Sequence, residues 1–147
     1  MARYVARVRT SMNADEAFTY MADLRNFASW DPGVVRSEQV AGNGLGPDAA
    51  YDVTVRNGGR DMTLRYEVVE YDPPRRVQVV GKASVFTSID VVEVNEGGEG
   101  TLVVYDATLR MPFPLSLADP LLAKAFRGIG DKAAAGLEQV LNGTLVR

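Results

Sequence analysis

The first two thirds of the chain alternate between apolar and polar residues with the period of a β-strand. From Tyr4 to Thr10, the apolar residues Ala6 and Val8 alternate with arginines, which indicates a strand with one face in water. From Val34 to Arg110 the alternation recurs between short turns rich in Gly, Asn and Pro, a pattern typical of hairpins. We therefore predict about six further strands that pair antiparallel with their neighbours.

Two short helices are predicted between the first strand and the rest of the sheet. Asn13 precedes Glu16 by three residues, which is the spacing of a capping box at the start of a helix. Asp23 is placed to begin a second short helix. The sequence Asp31-Pro32-Gly33 then predicts a turn.

After Pro114 the hydrophobic period changes from that of a strand to that of a helix. Asp119 and Pro120 are typical of a first helical turn, and Gly143 is typical of a helix end. Between them, apolar residues recur at spacings of three and four and predict one apolar face: Leu122, Phe126, Ile129, Ala133, Leu137, Val140 and Leu141. A helix of this extent would be about 33 Å long.

These elements together predict an α+β fold. A sheet with one apolar face must cover that face, and no other predicted element is as long as the C-terminal helix. We expect a curved antiparallel sheet of about seven strands around this helix, with two short helices after strand 1.

Length and charge limit the classes of protein to which the chain can belong. A chain of 147 residues has the usual size of one domain, so residues 1–147 are expected to form a single domain. Its sixteen basic residues are scattered and outnumbered by nineteen acidic ones, which argues against a nucleic-acid partner. No apolar stretch reaches the ~18 residues of a membrane span, and the N-terminal residues lack the pattern of a signal peptide. A cytoplasmic location is expected.

The sequence contains no histidine and no cysteine. Zinc and copper sites, thiol nucleophiles and Ser-His-Asp triads are therefore excluded, and neither a metal nor a cofactor is expected. Any catalysis would have to use carboxylates, Tyr, Lys, Arg, hydroxyls or backbone groups.

Five stretches along the chain also point to a known family. They are Asn13–Phe18, Asp23–Phe27 with Trp30–Gly33, Gly44–Gly46 leading to Tyr51, Glu70–Val77, and Gly100 with Thr101. In this order they resemble the START/Bet v 1-like superfamily (SRPBCC, the helix-grip fold), particularly its polyketide cyclase/dehydrase-like branch. The resemblance covers essentially the whole chain. It implies a cavity for lipids, steroids, polyketides, quinones or similar apolar molecules, whereas fold alone does not determine chemistry.

Asp90 is the most unusual residue on the predicted strands. It has the same parity as Phe86, Val92 and Val94, so a regular strand would turn its side chain inward. A buried carboxyl without a partner is costly and acquires a raised pKa, which is how a general acid or base is made. The alternatives are a bulge that turns Asp90 outward and an ion pair with an arginine.

Tyrosines are the other candidates for chemistry. Tyr51, Tyr66 and Tyr105 fall on the same strand faces as the aliphatic residues, where their hydroxyls either orient a ligand or serve packing alone. The candidate catalytic groups are therefore Asp90, Tyr66 and Tyr105.

We expect an interior void of a few hundred Å³, within the ~300–1,000 Å³ usual for ligand pockets. Trp30 closes one end of the sheet or lines the mouth of this void, and Gly130 makes room for a tyrosine ring or for the ligand. Residues 111–117 are a packed connector or a lid, and residues 111–122 are a candidate for transient membrane contact. The expected ligand-binding residues are Trp30, Tyr51, Leu64, Tyr66, Phe86, Tyr105, Phe113, Leu122, Phe126 and Gly130.

Three functions fit this sequence. The first is a carrier or sequestering protein, monomeric or homodimeric, for a small apolar or amphipathic molecule. The second is a cyclase or dehydratase that acts on a polyketide-like substrate in the same cavity, for which the resemblance implies Tyr, Arg, Ser or carboxylates rather than metals. The third is a co-chaperone or quinone-associated partner protein, which would need an exposed apolar patch.

Overall fold

Eight strands and three α-helices occur in the part of the chain that the computed structural model describes, residues 2–57, 59–111 and 119–146. In chain order they are β1 (Ala2–Thr10), α1 (Ala14–Ala22), a 3-10 helix (Leu24–Asn26), α2 (Phe27–Trp30), β2 (Val34–Ala41), β3 (Ala50–Asn57), β4 (Arg60–Asp72), β5 (Arg76–Lys82), β6 (Thr87–Gly97), β7 (Gly100–Arg110), α3 (Asp119–Val140) and β8 (Thr144–Leu145).

The strands form one antiparallel sheet in the order β2-β3-β4-β5-β6-β7-β1-β8. Neighbours along the chain pair from β2 to β7, and β1 joins the far side of β7, with Ala6 opposite Tyr105 and Val8 opposite Val103. The predicted α+β fold is confirmed. The eighth strand was not predicted: β8 pairs only with Val8 and Arg9 of β1, and two residues are too few to show a period.

The starts of the short helices follow the predicted caps. The Asn13 side chain accepts a hydrogen bond from the Glu16 N–H at 2.9 Å, and Asp23 caps the 3-10 helix through the Arg25 N–H at 3.1 Å. Asp31 accepts from the Gly33 N–H at 2.9 Å and forms the predicted turn. The predicted second helix is divided into the 3-10 helix and α2.

The last hairpin is tighter than its sequence indicates. Residues 95–100 are rich in Gly and Glu, as a loop would be, whereas β6 continues to Gly97 and pairs it with Gly100. Only Gly98 and Glu99 remain in the turn. Gly100 has a φ of 101°, which glycine adopts without strain. Phe86, predicted on the strand, lies in the loop before β6.

The long helix α3 packs against β1 and α2 with a face of small and aliphatic residues. Ala133, Ala134, Leu137 and Leu141 are buried, whereas Ile129, predicted on this face, is 42% exposed. The helix end was assigned to Gly143, but Asn142 takes the left-handed conformation, with a φ of 48°. Gly143 instead lies against the carbonyl of Arg9, where a side chain would not fit.

The inner face of the sheet and α3 share one core, as the periodicities predicted. Leu137 of α3 is buried together with inward residues of four strands, and Phe126 packs half-buried against them; the strand residues are Tyr51, Leu64, Tyr66, Val79 and Tyr105. Within the described ranges, no helix is both long and apolar enough to span a membrane.

Candidate functional site

A small cavity lies between the inner face of the sheet and the segment from α1 to α2. Its volume is about 20 Å³, close to the space of a single water molecule. Asp23 is half-buried at this cavity, and the other nine lining residues are buried. The lining residues are Met21, Asp23, Leu24, Phe27, Trp30, Val77, Val79, Asp90, Val92 and Tyr105.

Aromatic rings fill most of the space that was predicted to be empty. Trp30 stacks on Phe27 with ring centroids 4.7 Å apart, and it meets Tyr105 edge-on at 5.1 Å. Phe27 in turn meets Tyr66 edge-on at 6.1 Å. The predicted void of a few hundred Å³ is thus reduced to about 20 Å³ among the residues described, because α2 projects its rings onto the sheet.

Asp90 lies at the base of this cavity, on the inner face of β6. It is 4% exposed. The Ser88 hydroxyl donates to one carboxyl oxygen at 2.8 Å, and the Tyr105 hydroxyl donates to the other at 2.7 Å. Asp90 pairs in regular register with Val79 and Ala107, so the bulge considered from the sequence is absent here. The described residues also give it no arginine partner; its partners are hydroxyls.

Burial controls the ionisation of Asp90. Loss of hydration raises the pKa of the Asp90 carboxyl to about 6, and the hydrogen bonds from Tyr105 and Ser88 limit that rise. The negative charges of Asp31 and Asp106 raise the pKa further. The carboxyl therefore changes protonation close to neutral pH, as a general acid or base does.

The two nearby tyrosines are hydrogen-bond donors at neutral pH. Burial raises the pKa of the Tyr66 and Tyr105 hydroxyls well above the usual value, and the Asp90 charge raises both further. Tyr66 lies across the sheet from Gly81, and its ring covers the place where a Cβ of Gly81 would stand. Gly81 thus allows Tyr66 to lie flat on the sheet.

A third acid, Asp31, follows α2. It is half-buried, and loss of hydration raises the pKa of its carboxyl, partly offset by the hydrogen bond from the Gly33 N–H. The charge of Asp31 is also one of the causes of the raised pKa of Asp90.

The residues predicted from the sequence separate into groups. Trp30, Tyr105 and Asp90 line the cavity. Tyr51, Leu64 and Tyr66 are buried in the core but do not line it, and Phe86 and Phe126 are half-buried beside that core. Phe113 and the side chain of Leu122 lie outside the described residues, as does most of the predicted connector or lid.

The surroundings of Gly130 distinguish between the two alternatives that the sequence left open, room for a tyrosine ring and room for the ligand. A Cβ at this position would overlap the ring of Tyr4, and the Tyr4 hydroxyl donates to Asp131 at 2.7 Å. The room that Gly130 makes is occupied by a tyrosine ring, so Gly130 serves helix–sheet packing rather than the cavity.

Several cavity residues were not predicted. They come from α1, the 3-10 helix with its cap, α2 and the aliphatic positions of β5 and β6: Met21, Asp23, Leu24, Phe27, Val77, Val79 and Val92. Strand parity places Val77, Val79 and Val92 inward, but the crossing of α1 and α2 over these particular strands has no signal in the sequence. Within the described ranges, no group of three or more acidic residues could hold a metal ion.

Solved structures with similar folds cover nearly the whole chain. A START superfamily protein from Mycobacterium smegmatis has a TM-score of 0.78 and 14% identity, covering 97% of this chain and 98% of that one. The di-domain ARO/CYC StfQ from the steffimycin biosynthetic pathway has a TM-score of 0.72 and 14% identity, covering 95% of this chain and 49% of StfQ. The chain thus spans about half the length of StfQ.

A plant protein shares the same architecture. Major latex-like protein 151 from Panax ginseng has a TM-score of 0.61 and 15% identity, covering 91% of this chain and 95% of that one. At these identities the likeness shows the fold alone. No protein of curated function matches the sequence significantly. Residues 1–142 match the family model described as polyketide cyclase / dehydrase and lipid transport, and the chain therefore belongs to this family.

Proposed function

We propose that the protein is a carrier that binds a small apolar or amphipathic molecule between the sheet and the segment from α1 to α2. The observation that carries this proposal is the buried Asp90 carboxyl, which faces a cavity with apolar and aromatic walls. A carboxyl in this position costs the fold stability, because ionised groups lose hydration on burial. A few polar groups in an apolar pocket are, in contrast, what orients a ligand.

Binding requires the cavity to expand. A ligand pocket usually has at least ~300 Å³, whereas the cavity in the closed structure has about 20 Å³. We propose that the ligand displaces the rings of Phe27 and Trp30, which belong to α2, a helix of four residues. Their stacked rings would then pack on the ligand instead of on each other.

The proposed ligand has an apolar chain or ring system and at least one polar group. Its apolar part would contact Met21, Val79 and Val92, and its polar group would contact Asp90 or Tyr105. Lipids, polyketides and quinones all fit this description, and the family description names both polyketide chemistry and lipid transport.

Native mass spectrometry of the purified protein tests the carrier. We expect a population with an added mass of a few hundred daltons that disappears when the protein is denatured. Protein that carries no added mass, and that also fails to take up a mixture of lipid and aromatic compounds, would contradict the proposal.

A second candidate is a cyclase or dehydratase that uses Asp90 and Tyr105 as acid–base groups. The observation that favours it is the pKa of Asp90, raised to about 6, together with the Tyr105 hydroxyl at 2.7 Å. Groups that titrate near the working pH are suited to proton transfer.

Asp90→Asn and Tyr105→Phe distinguish the carrier from the enzyme. For a carrier, we expect no turnover of cyclisable polyketide-like substrates, and each variant should bind a neutral ligand within about tenfold of the parent protein, because one hydrogen bond contributes ~0.5–1.5 kcal/mol. Turnover by the parent protein that falls roughly 10²–10⁴-fold in either variant, with binding retained, would establish the enzyme.

A further inference from the structure

We propose that the site selects molecules with a cationic head group, such as an alkylammonium, over molecules with a carboxylate. This inference rests on the proposed function, because it concerns the head group of a ligand in the same cavity. It follows from the charges and the rings that surround the cavity.

The charged groups at the cavity are acidic. Asp23 and Asp90 are among the lining residues, and none of the lining residues in the described part of the chain is Lys or Arg. Asp23 is already neutralised by Arg25, whose guanidinium lies 2.7 Å from its carboxyl. Asp90 has only the two hydroxyls as partners within the described residues. A cation at the cavity would therefore compensate the charge of Asp90.

Asp90 retains the capacity to bind such a cation. A carboxylate accepts about four hydrogen bonds, and Ser88 and Tyr105 supply one to each oxygen. An ammonium group could donate to a remaining lone pair on either oxygen without displacing the hydroxyls. Hydrogen bonds between charged groups are shorter and about twice as strong as those between neutral ones.

The rings around Asp90 favour the same charge. Trp30, Phe27 and Tyr105 line the cavity together, and the faces of aromatic rings attract cations. A carboxylate head group would instead bring a second negative charge beside Asp90 and near Asp31. Like charges repel strongly where water is excluded, so the cavity should discriminate against fatty acids.

Three ligands with the same chain test this selectivity: decylamine, decanol and decanoate, each below the concentration at which it forms micelles. Their binding is followed at pH 7.5 by the emission of Trp30, the single tryptophan, which these compounds do not absorb. We expect decylamine to bind at least tenfold more tightly than decanoate, equivalent to ~1.4 kcal/mol, with decanol between them.

Asp90→Asn supplies the matched variant, and Asp48→Asn, which changes an exposed aspartate, is its control. We expect Asp90→Asn to weaken the binding of decylamine at least tenfold and to change the affinity for decanol less than threefold. Asp48→Asn should change neither affinity. If Asp90→Asn does not fold, the relative affinities of the three ligands for the parent protein still test the selectivity for a cationic head group.

The pH dependence gives a second readout. The ionisable groups that act on Asp90 are Tyr105 and Asp106 of β7 and Asp31 after α2. The charge of Asp90 in turn acts on Tyr66 of β4. Asp23, paired with Arg25, lines the same cavity. Since the Asp90 carboxyl is protonated below about pH 6, decylamine should bind more weakly at pH 5 than at pH 7.5, and decanol equally at both.

The outcomes separate this inference from the function on which it rests. If none of the three ligands binds while native mass spectrometry still detects another bound apolar molecule, the cationic selectivity is wrong and the carrier stands; if no apolar molecule binds at all, the carrier itself is contradicted. If decanol or decanoate binds as tightly as decylamine, or if Asp90→Asn leaves the preference unchanged, the carrier stands and the cationic selectivity is wrong.

Discussion

At the scale of single residues, Asp90 makes the folded protein less stable as the pH rises. Its folded pKa of about 6 lies above the ordinary value near ~3.9, so the folded state binds the proton more tightly than the unfolded state. The free energy of unfolding therefore falls between about pH 4 and pH 6 and stays low above that range. The change corresponds to about 3 kcal/mol, at 1.36 kcal/mol per pKa unit.

Asp90→Asn should remove this loss. Because asparagine carries no charge, we expect the variant to be roughly 1–3 kcal/mol more stable than the parent protein at pH 7.5 and to approach it near pH 4. Urea unfolding at several pH values measures the difference, and Asp48→Asn, at an exposed position, is the control. A stability difference between the two proteins that is the same at pH 4 and at pH 7.5 would contradict the burial of an ionisable Asp90.

Tyr105→Phe should raise the pKa of Asp90. The Tyr105 hydroxyl stabilises the charged carboxylate at 2.7 Å, so its removal should raise the pKa of Asp90 above about 6. The expected loss of stability is ~0.5–1.5 kcal/mol. NMR titration of the Asp90 carboxyl carbon measures the pKa.

Tyr71→Phe is the control for this titration, because the ring of Tyr71 packs against Phe18 at 5.8 Å and the pKa of Asp90 does not depend on it. An Asp90 pKa that is the same in Tyr105→Phe, Tyr71→Phe and the parent protein would show that the hydrogen bond from Tyr105 is not formed in solution.

Residue patterns predicted some of this site. Strand parity indicated that Asp90 points inward, and Ser88, two residues earlier, shares that parity. The hydroxyl of Tyr105 could not be assigned to Asp90 from the sequence, since Tyr105 stands opposite Val92 and reaches Asp90 diagonally. Both the pairing register and the side-chain direction are needed to see this contact.

At the scale of elements, two glycines of α3 have different roles: one is needed for close packing, whereas the other only lowers the helix propensity. A Cβ at Gly136 would overlap the carbonyl of Trp30, whereas a Cβ at Gly128 would meet open space. We expect Gly128→Ala to stabilise the protein by up to ~1 kcal/mol, because alanine is the better helix former. Gly136→Ala should destabilise it by roughly 1–3 kcal/mol, as overpacking does.

The melting temperatures of Gly128→Ala and Gly136→Ala test this expectation, and each variant is the control for the other. If both substitutions raise the melting temperature, α3 does not approach Trp30 as closely as the structure describes. This close approach also places α2, and with it the stacked rings, over the cavity.

The sequence predicted those elements whose hydrophobic pattern extends over many residues. The alternation of β3, β4 and β7 and the helical period of α3 each extend over several residues, and these elements are present. Short elements lack that evidence. The strand β8 has only two residues, which pair with Val8 and Arg9 of β1, and the break between the 3-10 helix and α2 has no periodicity to mark it.

At the scale of the whole molecule, the balance between packing and ligand binding is the main question. Periodicity predicts which faces of the sheet and of α3 meet, but it does not predict how much volume the side chains leave between them. Phe27 and Trp30 could be recognised as apolar positions, whereas their stacking over Asp90 depends on where α2 crosses the sheet. For this reason periodicity could not predict the volume of the cavity, which is about 20 Å³ among the described residues.

The most direct measurement is a titration of the protein with the neutral apolar dye N-phenyl-1-naphthylamine, followed by quenching of Trp30. We expect saturable binding at one site. Val92→Phe, which fills the cavity, should weaken this binding, and Val91→Phe, on the opposite face of β6, should retain it. Absence of saturable quenching in the parent protein, or equal binding by both variants, would contradict a ligand site between the sheet and α2.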